Sequence, residues 1–174
     1  GDGNLVSAET LNLGQVSAQN IYVETQGASD VVLHNTLSAQ AAGNSLVLNT
    51  GRNFINNHGA AALDAGAGRW LVYSADPAAN TLGGASADFK RYNKTFAAYA
   101  PENVAENGNG LLYSIAPVVT VRAKDVTREY GDANPVFTSA YSGLIDGDVA
   151  AYALNGTANY VALGADGDVG VSAI

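Results

Sequence analysis

The stretch Ile21-Tyr22-Val23-Glu24-Thr25-Gln26-Gly27 is answered 25 residues later by Leu46-Val47-Leu48-Asn49-Thr50-Gly51. Another 25 residues brings Leu71-Val72-Tyr73. Secondary apolar runs sit midway, at Val31-Val32-Leu33 and at Phe54-Ile55. Each run is of strand length and too short to carry a 3.6-residue helical stripe. Gly, Asn, Ser and Asp punctuate them. A period of about 20–30 residues with several short strands per repeat marks a solenoid. In a parallel β-helix each coil lays two or three short strands on the coil below, and apolar side chains fill the interior. Small residues turn the corners. Asn12, Asn35, Asn49 and Asn56 are candidates for stacked corner ladders. An antiparallel sandwich with coincident spacing is the alternative.

Outside this rhythm the chain changes character. Pro77 and Gly83-Gly84 break regular structure. Asp88 to Tyr99 holds three of the eight basic residues, with aromatics at 89, 92, 96 and 99. That spacing predicts a short helix closing the solenoid's open end, since a last coil otherwise exposes apolar side chains and unpaired strands. Residues 102–110 read as a loop, and Leu111 to Ile115 as one more strand, ended by Pro117. A second module starts near Val118. Val118 to Ala123 is a β-branched strand, Phe137 to Tyr141 another, and Tyr160 to Leu163 a third. The organisation is therefore residues 1–74 as β-helix coils, 75–117 as a capping and linking segment with a final strand, and 118–174 as a small β-rich module. So few residues make a marginal core, so that module is expected to be incomplete at its C-terminal end. With no Met and a start at Gly1-Asp2-Gly3, the chain reads as a piece of something longer.

Composition narrows the function. Hydrophobic residues make up 47%, which excludes general disorder. The absence of Cys excludes disulfides, thiolate metal sites and thiol nucleophiles. Net charge is −8, and residues 1–50 and 129–174 contain no Lys or Arg. That removes the basic footprint of a nucleic-acid binder and disfavours adsorption to anionic membrane. No apolar run reaches the length of a membrane span.

The string Gly68-Arg69-Trp70-Leu71-Val72-Tyr73-Ser74, Pro77, Asn80, Gly83-Gly84, Asp88-Phe89-Lys90, Tyr92-Asn93 and Gly108-Asn109-Gly110-Leu111-Leu112-Tyr113-Ser114 resembles the C-terminal border of the haemagglutinin-like repeat region in two-partner-secretion exoproteins of the filamentous haemagglutinin type. Ala85 departs from that pattern, where Leu is expected. Val119-Thr120-Val121, Tyr130-Gly131-Asp132-Ala133-Asn134-Pro135, Tyr141-Ser142-Gly143-Leu144, Gly147-Asp148 and Leu154-Asn155-Gly156 resemble an MBG domain of the YDG/YGX type. The two resemblances cover residues 51–156. They imply an all-β architecture: a right-handed parallel β-helix end with its cap, then an MBG module, β-grasp-like. They also imply a secreted, extracellular or cell-surface bacterial adhesin, exported through an outer-membrane β-barrel partner. Its expected role is in cell adhesion, aggregation or biofilm formation. The implied ligand is a polysaccharide or a host-cell surface receptor, bound by a monomer.

Candidate site residues each carry two readings. Trp70, Tyr92 and Tyr99 are the candidate sugar or partner contacts, stacking being the usual mode; packing into the solenoid core or cap is the alternative. Asp146, Asp148, Asp166 and Asp168, in two Asp-Gly-Asp turns, are the candidate Ca²⁺ ligands. Asp-Gly is also a plain turn signal. His34 and His58 lie beside Asn at presumed corners and lack a partner carboxylate in sequence, which favours a corner role over catalysis. Asn93-Lys94-Thr95 and Asn155-Gly156-Thr157 match the glycosylation acceptor, a short motif that recurs by chance. No enzyme is expected, and no cofactor beyond Ca²⁺. The rival, a β-helical polysaccharide lyase or hydrolase, needs carboxylates stacked on one coil face. Asp30, Asp64 and Asp76 do not share a register.

Overall fold

A computed structural model of the chain describes residues 1–129, 131–145, 148, 150, 154, 156 and 158–160. It contains two units, residues 1–116 and 117–174. The first is a β-solenoid of about four turns built from parallel sheets. Coil one contributes β1 (Gly3–Ser7), β2 (Leu11–Leu13) and β3 (Val16–Ala18). Coil two contributes β4 (Ile21–Thr25), β5 (Val31–Leu33) and β6 (Leu37–Ala39), and coil three β7 (Leu46–Asn49), β8 (Phe54–Asn56) and β9 (Leu63–Asp64). Coil four opens with β10 (Trp70–Ser74) and touches the second sheet through a bridge from Thr81 to Ile55. The three-residue strands keep ends apolar and middle outward: β5, β6 and β8 each bury their first and third residues. That alternation is the two-residue period of a strand with one buried face.

The 25-residue repeat holds for one step and then slips. Ile21 pairs with Leu46, but Leu46 pairs with Trp70 rather than with Leu71. A one-residue shift exchanges the faces of a strand. Trp70 and Val72 therefore point into the core with Leu46 and Leu48, while Leu71 and Tyr73 point outward with Val47. Corner lengths absorb the difference: Val31 pairs with Phe54, and Leu37 with Leu63.

Corners are fixed by side chains reaching between coils. The predicted asparagine ladder does not form, because no two of the four residues occupy equivalent positions in successive coils: Asn12 pairs with Val32, Asn56 with Leu33 and Asn49 with Glu24. Asn12 meets His34 at 3.2 Å, and Asn35 accepts from the Thr36 amide. Asn56 is buried and fully used: its Nδ2 donates to the carbonyls of Gly59 and Leu82, and its Oδ1 accepts from the amides of His58 and Gly59. His58 meets Thr36 at 3.1 Å. Asp30 accepts two bonds from the Arg52 guanidinium, at 2.9 and 2.7 Å, and one from the Asn53 amide at 3.0 Å.

The last turn breaks the winding order. The long sheet runs β1-β4-β7-β10-β12-β11, where β11 is Phe89–Arg91 and β12 is Gly110–Tyr113. The predicted helix over residues 88–99 is thus a strand followed by turns. Its aromatics mimic helical spacing while going to two places. Tyr92 stacks on the buried Tyr113 ring at 5.6 Å, where it packs against the interior core. Phe89, Phe96 and Tyr99 pack on the sheet's outer face.

In the second unit, β13 (Thr120–Ala123) and β14 (Ser139–Ser142) form an antiparallel hairpin, with Val121 opposite Tyr141. Phe137 stacks on Tyr160 at 6.1 Å.

Candidate functional site

The outer face of the long sheet is the most elaborated surface of the solenoid. Val47, Leu71, Tyr73 and Leu112 alternate with the core-facing residues and would present an apolar patch to water. Residues 92–109 cover that patch. Phe96 sits between Tyr22 (5.8 Å) and Tyr73 (5.2 Å, edge-on), and Val104 is buried beside them. The Tyr73 hydroxyl donates to the Tyr99 carbonyl at 2.9 Å. Burial pushes the Tyr73 phenol well above its ordinary range, and pushes Tyr22, which also donates to Glu24, up to about 12.

Arg69 holds the covering segment down. Its Nε donates to Asn44 Oδ1 at 2.6 Å, and its terminal nitrogens to the carbonyls of Val104 (3.0 Å), Pro101 (3.4 Å) and Glu106. Asn44 adds a bond to the Pro101 carbonyl at 2.9 Å. Glu106 closes the network, accepting from Arg91 Nε and, at 3.1 Å, from the Tyr99 hydroxyl. Burial raises the Glu106 carboxyl, but its backbone hydrogen bond, Arg91 and Tyr99 outweigh this and hold it below the usual range. The Lys94 ammonium lies 4.6 Å from the centre of the Tyr99 ring, a cation–π distance. Sequence reasoning missed this cluster, because Arg69 binds carbonyls 32 to 37 residues further along the chain. The signal was a concentration of cations in an otherwise cation-poor solenoid.

Beside this network lies a shallow cleft of about 200 Å³, lined by Asn49, Thr50, Tyr73, Ser74, Lys94 and Phe96 among others. It is smaller than the usual small-molecule pocket. Its polar groups can donate to and accept from a hydroxylated surface ligand. They include no nucleophile paired with a base.

The three predicted contact aromatics do not converge. Trp70 is 4% exposed and belongs to the core, so its indole has no free face for a sugar. Tyr92 packs against the same core near the last turn. Tyr99 is half-buried on the opposite, outer face, with its hydroxyl on Glu106. The carboxylates are equally scattered. Asp30 pairs with Arg52, Asp64 accepts from Ser38 and the Gly66 amide, and Asp76 caps the turn at Ala78. Of the candidate Ca²⁺ ligands, Asp146, Asp166 and Asp168 lie outside the described residues, and the Asp148 amide closes a turn onto the Ile145 carbonyl. Among the described residues no three His, Asp or Glu side chains come together as a metal site. Among them, too, no helix is long and apolar enough to cross a membrane. Asn93 of the first glycosylation motif is exposed, with a left-handed φ of 56°; Asn155 and Thr157 of the second lie outside the described residues.

No curated protein and no solved structure matches the chain. Residues 119–168, under a third of the sequence, match the model of the MBG domain (YGX type). A β-solenoid followed by an MBG domain fits a segment of an adhesin-like surface protein.

Proposed function

We propose that this chain is a segment of a large bacterial surface adhesin of the filamentous haemagglutinin, two-partner-secretion type, in which the solenoid is shaft and spacer. The observation that carries the reading is the pairing of parallel solenoid coils with an MBG match directly after them. A solenoid is rigid along its axis because each coil hydrogen-bonds to its neighbours throughout. Its corners carry few cations, and Asp30, Asp64 and Asp76 are tied into corner bonds, which suits presentation rather than catalysis. On this reading the full-length protein leaves the cell through an outer-membrane β-barrel partner and works in adhesion, aggregation or biofilm formation, and no enzymatic activity resides in this segment.

The test is surface labelling of intact source cells with antibody raised against residues 1–116. Labelling that disappears when the gene for the barrel partner is disrupted supports the reading. Labelling confined to lysed cells overturns it. The cleft beside Lys94 and Phe96 favours a second reading, in which this segment itself binds polysaccharide. The glycan-panel experiment that closes the Discussion separates the two.

A further inference from the structure

We infer that the cap of the solenoid is a folding-order device: β11 cannot be seated until β12 has been laid on β10. The inference does not rest on the adhesin reading. In the long sheet β11 lies outside β12, although it precedes it in the chain by about twenty residues. Among the described residues β12 is the strand that β11 pairs with. Lys90 stands opposite Leu111 and Arg91 opposite Leu112. The seat is made of residues 109–113. The amides of Asp88 and Phe89 donate to the Asn109 carbonyl at 2.8 and 3.2 Å, and the Asn109 amide returns a bond to the Asp88 carboxylate at 2.7 Å. The Lys94 amide donates to the Tyr113 carbonyl at 2.8 Å, and Tyr92 stacks on Tyr113. The Phe89 ring lies across Gly110 so closely that a Cβ there would meet it at 2.1 Å.

Before β12 arrives, the free edge of β10 is the slot open to residues 89–91. Their sequence keeps them out of it. In the native register Leu111 stands beside Val72 facing the interior, and Leu112 beside Tyr73 on the outer face, both essentially unexposed. Phe89-Lys90-Arg91 in that register would drive the Lys90 ammonium into the core position of Leu111. Slipped by one residue, it would drive Phe89 and Arg91 inward instead, because register exchanges faces. Either way a cation enters an apolar interior, which is strongly unfavourable. In β11's own place, beyond β12, all three residues are half-buried and keep solvent access. Residues 88–94 therefore wait, and Tyr92 closes over the core in the same step that seats β12.

The experiment is pulsed hydrogen exchange with mass spectrometry during refolding of the full chain from denaturant. The inference predicts that amides of residues 88–94 gain protection at the rate of residues 110–113, and after residues 46–49 and 70–74. Protection of 88–94 ahead of 110–113, or of both ahead of 70–74, overturns it. The double variant K90L/R91L removes the charge barrier. It is predicted to show residues 88–94 protected early, ahead of 110–113, as they take the slot on β10. An unchanged order in that variant shows that the charges do not set the sequence of events.

Discussion

Replacing Trp70 with alanine probes the register slip that sets the inside of the fourth coil. The indole is 4% exposed and sits in the same core as Leu46, Leu48 and Val72. Truncating a buried Trp to Ala costs about 3–5 kcal/mol, the lost burial plus the cavity left behind. The backbone bond from the Trp70 amide to Asn109 Oδ1 (2.9 Å) does not depend on the side chain and survives. With a urea slope of about 2 kcal/mol/M, the midpoint falls by roughly 2 M. Trp70 is the chain's single tryptophan, so its fluorescence in the parent reports this site alone. A buried indole emits to the blue and shifts to the red on unfolding. Circular dichroism follows the variant. A W70A protein within about 0.5 kcal/mol of the parent, or a parent whose emission is already that of a solvated indole, would refute the register and the interior assignment together.

Glycine substitutions offer a paired contrast. A Cβ at Gly51 would meet the Gly27 carbonyl oxygen at 2.6 Å, whereas one at Gly14 meets nothing within 4 Å. G51A is expected to lose more than about 1 kcal/mol in thermal melts, and G14A to be neutral or slightly stabilising. R69A removes the donors that hold residues 101–106, a loss of about 3 kcal/mol for charged hydrogen bonds. Limited proteolysis should then cut within residues 99–108 while coils one to three stay intact. The pH limbs differ in sign. The Arg52 hydrogen bonds hold the Asp30 carboxyl below the value of about 3.9 it has when unfolded, despite burial. Its stabilisation is present above that value and lost as pH falls through the folded pKa, so D30N should flatten the acid limb of stability against pH. Tyr22 is raised to about 12, by burial and then by its bond to Glu24. Its contribution is complete below about pH 10 and lost as pH rises towards 12, and Y22F should remove that part of the alkaline limb.

What the sequence disclosed was whatever depends on short-range periodicity. The pairings of Ile21 with Leu46 and of Val31 with Phe54 follow from apolar runs at regular intervals. The third sheet escaped notice because Leu37-Ser38-Ala39 and Leu63-Asp64 carry one large apolar residue each. The slip at Trp70 escaped notice because corner length varies without leaving a mark on strand composition. The helix expected over residues 88–99 failed because its aromatics satisfy contacts on two sides of a sheet rather than one face of a cylinder. The Arg69, Arg91, Tyr99 and Glu106 network was out of reach for the same reason as β12's insertion: both depend on which distant segments meet. The MBG match, by contrast, was legible from a string of turn residues at fixed offsets.

The most direct test of the shaft reading is retention of the full chain on a panel of bacterial and host polysaccharides, with and without Ca²⁺, after washing at moderate salt. The account predicts no retention on any member of the panel. Retention that persists through the wash, and is lost in K94A or F96A while the melting curve stays that of the parent, would contradict it and make this segment the adhesive surface.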